Sequence, residues 1–110
     1  MNDSILTTIK KLLGIAKDYT QFDEDIIVHI NTVFAILHDM GVGPDDTFFI
    51  RDDKSVWEEF IEDHEDLEMV KSYIYMRVRM LFDTPSGAVK DALDSSIKEL
   101  EWRMYNKQEY

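Results

Sequence analysis

Between Phe22 and Leu37, apolar residues recur every three or four positions: Phe22, Ile26, Ile27, Ile30, Val33, Phe34 and Leu37. A chain with that spacing winds its apolar side chains onto one face of an α-helix, and the alternation a half-buried strand needs is absent. Asp23, Glu24 and Asp25 place negative charge on the first turn, where the helix dipole favours it. Gly41 is placed to end the helix, and Gly43-Pro44 prevents its continuation.

Four further segments read the same way. Ile5, Leu6, Ile9, Leu12 and Leu13 mark a first helix, with Asp3 or Ser4 placed to cap it and Gly14 to stop it. Ser55 and Glu58 form an S-x-x-E capping box before a short helix carrying Trp57, Phe60 and Ile61. A fourth helix is expected from about Asp66 to Phe82. Leu67, Val70, Ile74, Val78 and Leu81 are its inner stripe, widened by Met69, Tyr73, Met76 and Met80. The turn from Asp83 to Gly87 contains Pro85, which pushes Thr84 out of helical geometry. The last helix begins near Ser86, with Val89, Leu93, Ile97, Leu100 and Met104 as a narrow stripe between charged flanks.

Between helices two and three lies a loop, Val42 to Lys54, rich in aspartate. Within it Phe48-Phe49-Ile50 reads as a short extended piece pinned to the core. The expected fold is therefore all-α: a small bundle of four to five helices with an extended loop between helices two and three. At 110 residues with 45% hydrophobic content, the chain forms one domain and can bury roughly two-thirds of the surface its unfolded form exposes.

Composition excludes more than it assigns. With no cysteine, there are no disulfides, thiolate zinc sites or cysteine nucleophile. The N-terminal segment lacks the basic and apolar regions of a signal peptide, and no apolar run is long enough to span a membrane, so a soluble protein made in a cytoplasm is expected. Acidic residues outnumber basic ones by 23 to 12, for a net charge of −11. That charge repels phosphate backbones and disfavours non-specific nucleic-acid binding. It serves solubility, or a surface that sits near DNA without adhering to it.

Candidate metal sites fail on spacing. His64-Glu65 opens like a zincin helix, but Glu68 stands where the second histidine is required. Asp25 and His29 share a helix face with no third ligand in view; His38 stands alone. The aspartates at 45, 46, 52 and 53 surround Phe48-Phe49-Ile50, where an EF-hand would place ligands. They read as a hydrated loop. No nucleophile elbow, phosphate-cradling glycine loop or Ser/His/Asp grouping is present, so no catalytic residue, cofactor or metal is assigned.

What remains is an excess of aromatic, methionine and arginine side chains on the last two helices. Tyr73, Tyr75, Met76 and Met80, with Trp102, Met104 and Tyr105, exceed the needs of one narrow stripe. Packing accounts for most of them, yet Tyr, Trp, Met and Arg are the residues enriched where proteins meet. Arg77 and Arg79 beside Tyr75, and Arg103 beside Trp102, are the candidate contacts.

The order of segments also resembles a known family. KKLLGI (Lys10 to Ile15), FDEDIIVHIN (Phe22 to Asn31), GVGP (Gly41 to Pro44), WEEFI (Trp57 to Ile61), VKSYIYMRVRMLFD (Val70 to Asp83) and ELEWR (Glu99 to Arg103) together resemble phage head–tail connector proteins over nearly the whole chain. One departure is Thr84-Pro85, where consecutive prolines would be expected. The resemblance implies a structural subunit of the virion neck, assembled in the host cytoplasm as a homo-oligomeric ring beneath the portal protein. Such a ring extends the channel through which DNA passes without specific binding, and it docks the next neck or tail protein. By the same resemblance, residues 101–110 form a candidate partner-binding tail, with Trp102, Arg103, Met104 and Tyr105 facing the portal. Tyr75, Arg77 and Arg79 become candidates for the subunit interface. A small acidic binding or regulatory protein acting on another protein is the competing expectation; an enzyme ranks last.

Overall fold

The computed structural model describes residues 4–61 and 64–108. Among the described residues five helices follow in order: α1 (Ile5–Leu12), α2 (Asp23–Asp39), α3 (Trp57–Phe60), α4 (His64–Phe82) and α5 (Gly87–Gln108). Among the described residues there is no strand, only an isolated bridge between Ser4 and Val56. The molecule is a small all-α bundle in which α4 packs against α1, α2 and α5.

At eight residues, α1 is too short to be stable alone in water. The Ser4 side chain accepts a hydrogen bond from Thr7 N at 2.9 Å and caps it, contributing about 1 kcal/mol. Burial contributes more: Ile5, Leu6 and Ile9 are all withdrawn from water, at roughly 2 kcal/mol each. Packing therefore decides that this segment is helical. Leu12, expected on the inner stripe, is about half exposed, and Lys10 is buried in its place. The Lys10 ammonium donates to the carbonyls of Lys17 (3.0 Å) and Tyr19 (2.7 Å) and forms an ion pair with a carboxylate oxygen of Asp23 at 2.8 Å. Two hydrogen bonds and one ion pair thus fasten the α1–α2 connection to the start of α2.

Helix α2 buries Ile26, Ile30, Val33, Phe34 and Leu37, as its spacing requires. Gly41 (φ 80°) and Gly43 (φ 96°) then turn the chain through left-handed conformations. At Gly43 the constraint is also steric, because a Cβ would sit 2.6 Å from the Phe60 ring. The following loop is pinned as expected. Ile50 is buried, and its backbone is clamped from both sides by one side chain: Ile50 N donates to Asn31 Oδ1 (2.8 Å), and Asn31 Nδ2 donates to Ile50 O (2.9 Å). Phe48 packs edge-on against Phe34 (5.1 Å between ring centroids) and beside Phe60 (5.3 Å).

The capping box before α3 is displaced by one residue. Glu59, not Glu58, reaches back to accept from Val56 N at 2.9 Å. Ser55 is held elsewhere, its carbonyl accepting from Ile5 N at 2.9 Å. That bond, with the Ser4–Val56 bridge, ties the α3 entry to the start of α1 and shifts the helix start forward. Trp57 completes the join: it is buried, donates from Nε1 to Thr8 Oγ1 (3.0 Å) and lies beneath the Lys71 ammonium (5.5 Å).

Helix α4 starts two residues before the sequence expectation and buries Leu67, Val70, Tyr73, Ile74 and Val78. Leu81 is the exception, at 48% exposure. Its counterpart is Val89 on α5, 52% exposed. All residues from 86 to 92 are exposed, so the α4–α5 turn and the start of α5 stand clear of the core. Only from Leu93 onward does the α5 stripe engage, through Leu93, Ile97 and Met104, with Leu100 packed at its margin.

The Asn31 clamp is testable. Asn31→Ala removes the partners of a buried residue's N–H and C=O, and should cost about 2 kcal/mol. In urea unfolding this appears as a lower midpoint at unchanged slope.

Candidate partner-binding surface

The second half of α5 is held against α4 by a polar network between two apolar patches. Tyr73, itself buried, donates from its hydroxyl to Glu101 Oε2 at 2.7 Å. Arg77, one turn along α4, donates from Nε to the Tyr73 hydroxyl (3.1 Å) and from Nη2 to the same Glu101 oxygen. The guanidinium carbon also lies 5.7 Å from the Tyr73 ring centroid. Two residues on α4 thus converge on one carboxylate of α5.

The three groups tune one another. Burial, followed by the hydrogen bond to Glu101, pushes the Tyr73 hydroxyl up to about 12. Partial burial alone would raise the Glu101 carboxyl, but the hydrogen bonds from Tyr73 and Arg77 outweigh it and hold the group below the ordinary carboxylate range. For Arg77, burial opposes the charge, and the hydrogen bonds to Glu101 and Tyr73 more than restore it. At neutral pH the network therefore consists of an ionised carboxylate, a charged guanidinium and a neutral phenol. It makes a firm clip between helices and offers no group poised to exchange a proton near neutrality.

On the other side of Glu101 lies the surface this clip positions. Trp102 (67% exposed) and Tyr105 (59% exposed) stand together on α5. With Ile36, Asp39 and Met40 at the end of α2, and Glu101 itself, they line an open groove of about 510 Å³. Two large aromatics this exposed, over an apolar floor with carboxylates at hand, form a surface suited to a protein partner. Asn106 Nδ2 donates to Trp102 O (2.7 Å), supporting this last stretch of helix.

The residues singled out in the sequence divide by position. Trp102 and Tyr105 face outward into the groove. Arg103 is exposed and ion-paired to Glu99 one turn back (2.9 Å). Met104 turns inward: at 2% exposure it belongs to the core, because helical geometry rotates it opposite Trp102, and it has no surface to offer a partner. Residues 101–108 continue α5, so the expected tail is a helical extension; residues 109 and 110 lie outside the described residues. On α4, Arg77 is committed to Glu101, whereas Arg79 has no carboxylate partner among the described residues and sits 3.5 Å from the half-buried Tyr75 hydroxyl. Glu101, which the sequence did not single out, joins the Arg77 network to the aromatic groove. Its signal was modest: it precedes Trp102 in ELEWR.

For metals, Asp25 is exposed and His29 packs edge-on to Phe82 at 6.4 Å, while the side chains of His64 and Glu65 lie outside the described residues. Among the described residues no group of three potential ligands converges, and no helix is long and apolar enough to cross a membrane.

A family model shows the class of protein to which this helical module belongs. Residues 5–110 match the phage connector protein family, and the chain belongs to it, with the structural role of a connector in the phage particle. No curated protein and no solved structure gives a significant match.

The Tyr73–Arg77–Glu101 clip should be visible in the pH dependence of stability. Glu101 is held ionised, so its contribution is present above the ordinary value of 4.5 and is lost as pH falls through its lowered folded value. Tyr73 is held neutral, so its contribution is intact below 10.0 and is lost as pH rises toward about 12. In thermal melts followed by circular dichroism, Glu101→Gln should flatten the acid limb and Tyr73→Phe the alkaline limb.

Proposed function

We propose that this protein forms a homo-oligomeric ring beneath the portal of its phage, extends the DNA channel and docks the next neck or tail protein. The observation that carries the proposal is the Trp102–Tyr105 groove, read together with membership of the connector family. A ring subunit must grip a partner from a fixed position. Here the gripping face is built on regular helix and braced by Met104 inside and the Glu101 clip beside it. Trp102, Arg103 and Tyr105 are the portal-facing side chains in this reading. Arg79 and Tyr75 serve at the junction between subunits, with Arg77 acting indirectly by fixing Glu101.

The net charge of −11 supports the channel role. DNA in transit must not stick, and a wall carrying excess carboxylates repels phosphates along its length. In this reading the particle neck is the working location, with assembly in the host cytoplasm.

The test is binding to the phage's portal assembly. Trp102→Ala and Tyr105→Ala should each weaken portal co-sedimentation by more than about tenfold, as expected for central aromatic anchors worth about 2 kcal/mol. Both residues are exposed in the free chain, so the melting temperature should hardly change. Variants that bind the portal like the parent would remove this face from the interface. A parent that never binds the portal would remove the proposed ring beneath the portal and favour another protein partner.

A further inference from the structure

A second groove, remote in character from the aromatic one, runs between α1 and the first half of α4. Lys11, Leu12, Lys17, Glu68 and Lys71 are among the residues that line it. Its chemistry runs against that of the whole molecule. The chain has only 12 basic residues against 23 acidic ones, yet three lysines meet here, with a fourth, Lys10, buried on the same helix. Lys71 is partly engaged, 3.7 Å from the exposed Glu68 and above the Trp57 ring. Lys11 and Lys17 are exposed and have no carboxylate partner among the described residues. Beside them Leu12 leaves about half its surface in water.

The same chain carries the complement. In the loop after α2, Asp45 and Asp46 are exposed and without an ion pair among the described residues. Three residues on, Phe49 is half exposed, while its neighbours Phe48 and Ile50 are drawn into the core. The loop is not free to wander, since the Asn31 clamp holds Ile50 and the Gly43–Phe60 approach holds its start. It therefore presents two carboxylates from a fixed base, with one aromatic ring that carries the Arg51 guanidinium over one face (5.2 Å to the centroid). Two cations beside an exposed leucine face the matching pattern of two anions beside an exposed phenylalanine.

We infer that the Lys11–Lys17–Lys71 groove of one copy receives the Asp45–Asp46–Phe49 loop of the next copy. Charge selects this occupant. Copies bearing −11 each repel at long range, so contact between them requires a place where opposite charges meet locally. The groove and the loop are different surfaces of the chain, which makes the contact heterologous, and a heterologous contact closes into a ring when its rotation permits. The inference rests on the ring reading above but names a different surface from the portal face, so the two can fail separately.

The experiment pairs cross-linking with charge exchange. Concentrated protein, half of it labelled with 15N, is treated with a carbodiimide that joins lysine directly to carboxylate. Cross-links from Lys11 or Lys17 to Asp45 or Asp46, between labelled and unlabelled chains, are expected. Links confined to single chains, or between copies at other residues, overturn the assignment. In sedimentation velocity at low salt, K11E/K17E and D45K/D46K should each lose self-association by at least about tenfold, a loss of some 1.4 kcal/mol. An equimolar mixture should regain it, because each reversed groove then meets a reversed loop. Single variants that associate like the parent, or a mixture that stays dispersed, overturn the inference. So does retardation of short duplex DNA that K11E/K17E abolishes while no inter-copy links form, which would assign the groove to phosphate. Portal co-sedimentation reports on the connector reading independently: a K11E/K17E variant that still binds the portal shows the portal face intact.

Discussion

Helix α4 is packed against α1, α2 and α5, and a helix in that position must be apolar well beyond a single stripe. Val70, Tyr73, Ile74 and Val78 meet that demand, all essentially without exposed surface. The rest of the bundle is arranged around what α4 offers. Helix α2 supplies five buried apolar residues, α1 is too short to stand without its buried isoleucines and leucine, and α5 engages only from Leu93. Where α4 needs a polar atom inside, at the Tyr73 hydroxyl, Arg77 and Glu101 supply partners, so the buried phenol costs little. One interaction set thereby holds α5 in register and leaves Trp102 on the outer side.

The short elements show how few contacts fix an irregular chain. Asn31 satisfies both backbone groups of Ile50, and one lysine, Lys10, gathers two carbonyls and a carboxylate at the α1–α2 connection. A lysine inside a small acidic domain would be costly if unpaired. Held by these contacts, it fastens the α1–α2 loop beside the partly buried Leu13 and Ile15. The functional surfaces inherit their rigidity from such points. The aromatic groove borders the end of α2, the basic groove lies along α1 and α4, and the acidic loop hangs from Asn31 and Gly43.

Much of this was legible beforehand for a physical reason. Helical periodicity is local, so the five helices, the glycine stops and the pinned Phe48–Ile50 segment could all be read from spacing. The family, too, was readable, because short segments in a fixed order over nearly the whole chain are a property of sequence. The misreadings share a cause. Leu12, Leu81 and Val89 fit their stripes but are left about half exposed, and periodicity does not say which positions a neighbour covers. Lys10 sits four residues after Leu6 and three before Leu13, so its position on the stripe was visible. Its partners, the carbonyls of Lys17 and Tyr19, exist only once the chain turns back. The capping box moved by one residue because Ser55 is bonded to α1, far away in sequence.

The amino-acid sequence by itself determined an acidic, all-helical domain without cysteine chemistry or a recognisable catalytic motif, and it identified the aromatic and basic residues of the last two helices as the ones to watch. Only tertiary structure decided how those residues divide. Met104 goes inward while Trp102 and Tyr105 go outward, and Arg77 is spent on Glu101 while Arg79 has no carboxylate partner among the described residues. It also brought Lys11, Lys17 and Lys71 into one groove, although more than fifty positions separate the last from the others. The reason is the same in each case: a helix fixes the angles between its own side chains, but which of those angles meets water depends on where the other helices lie.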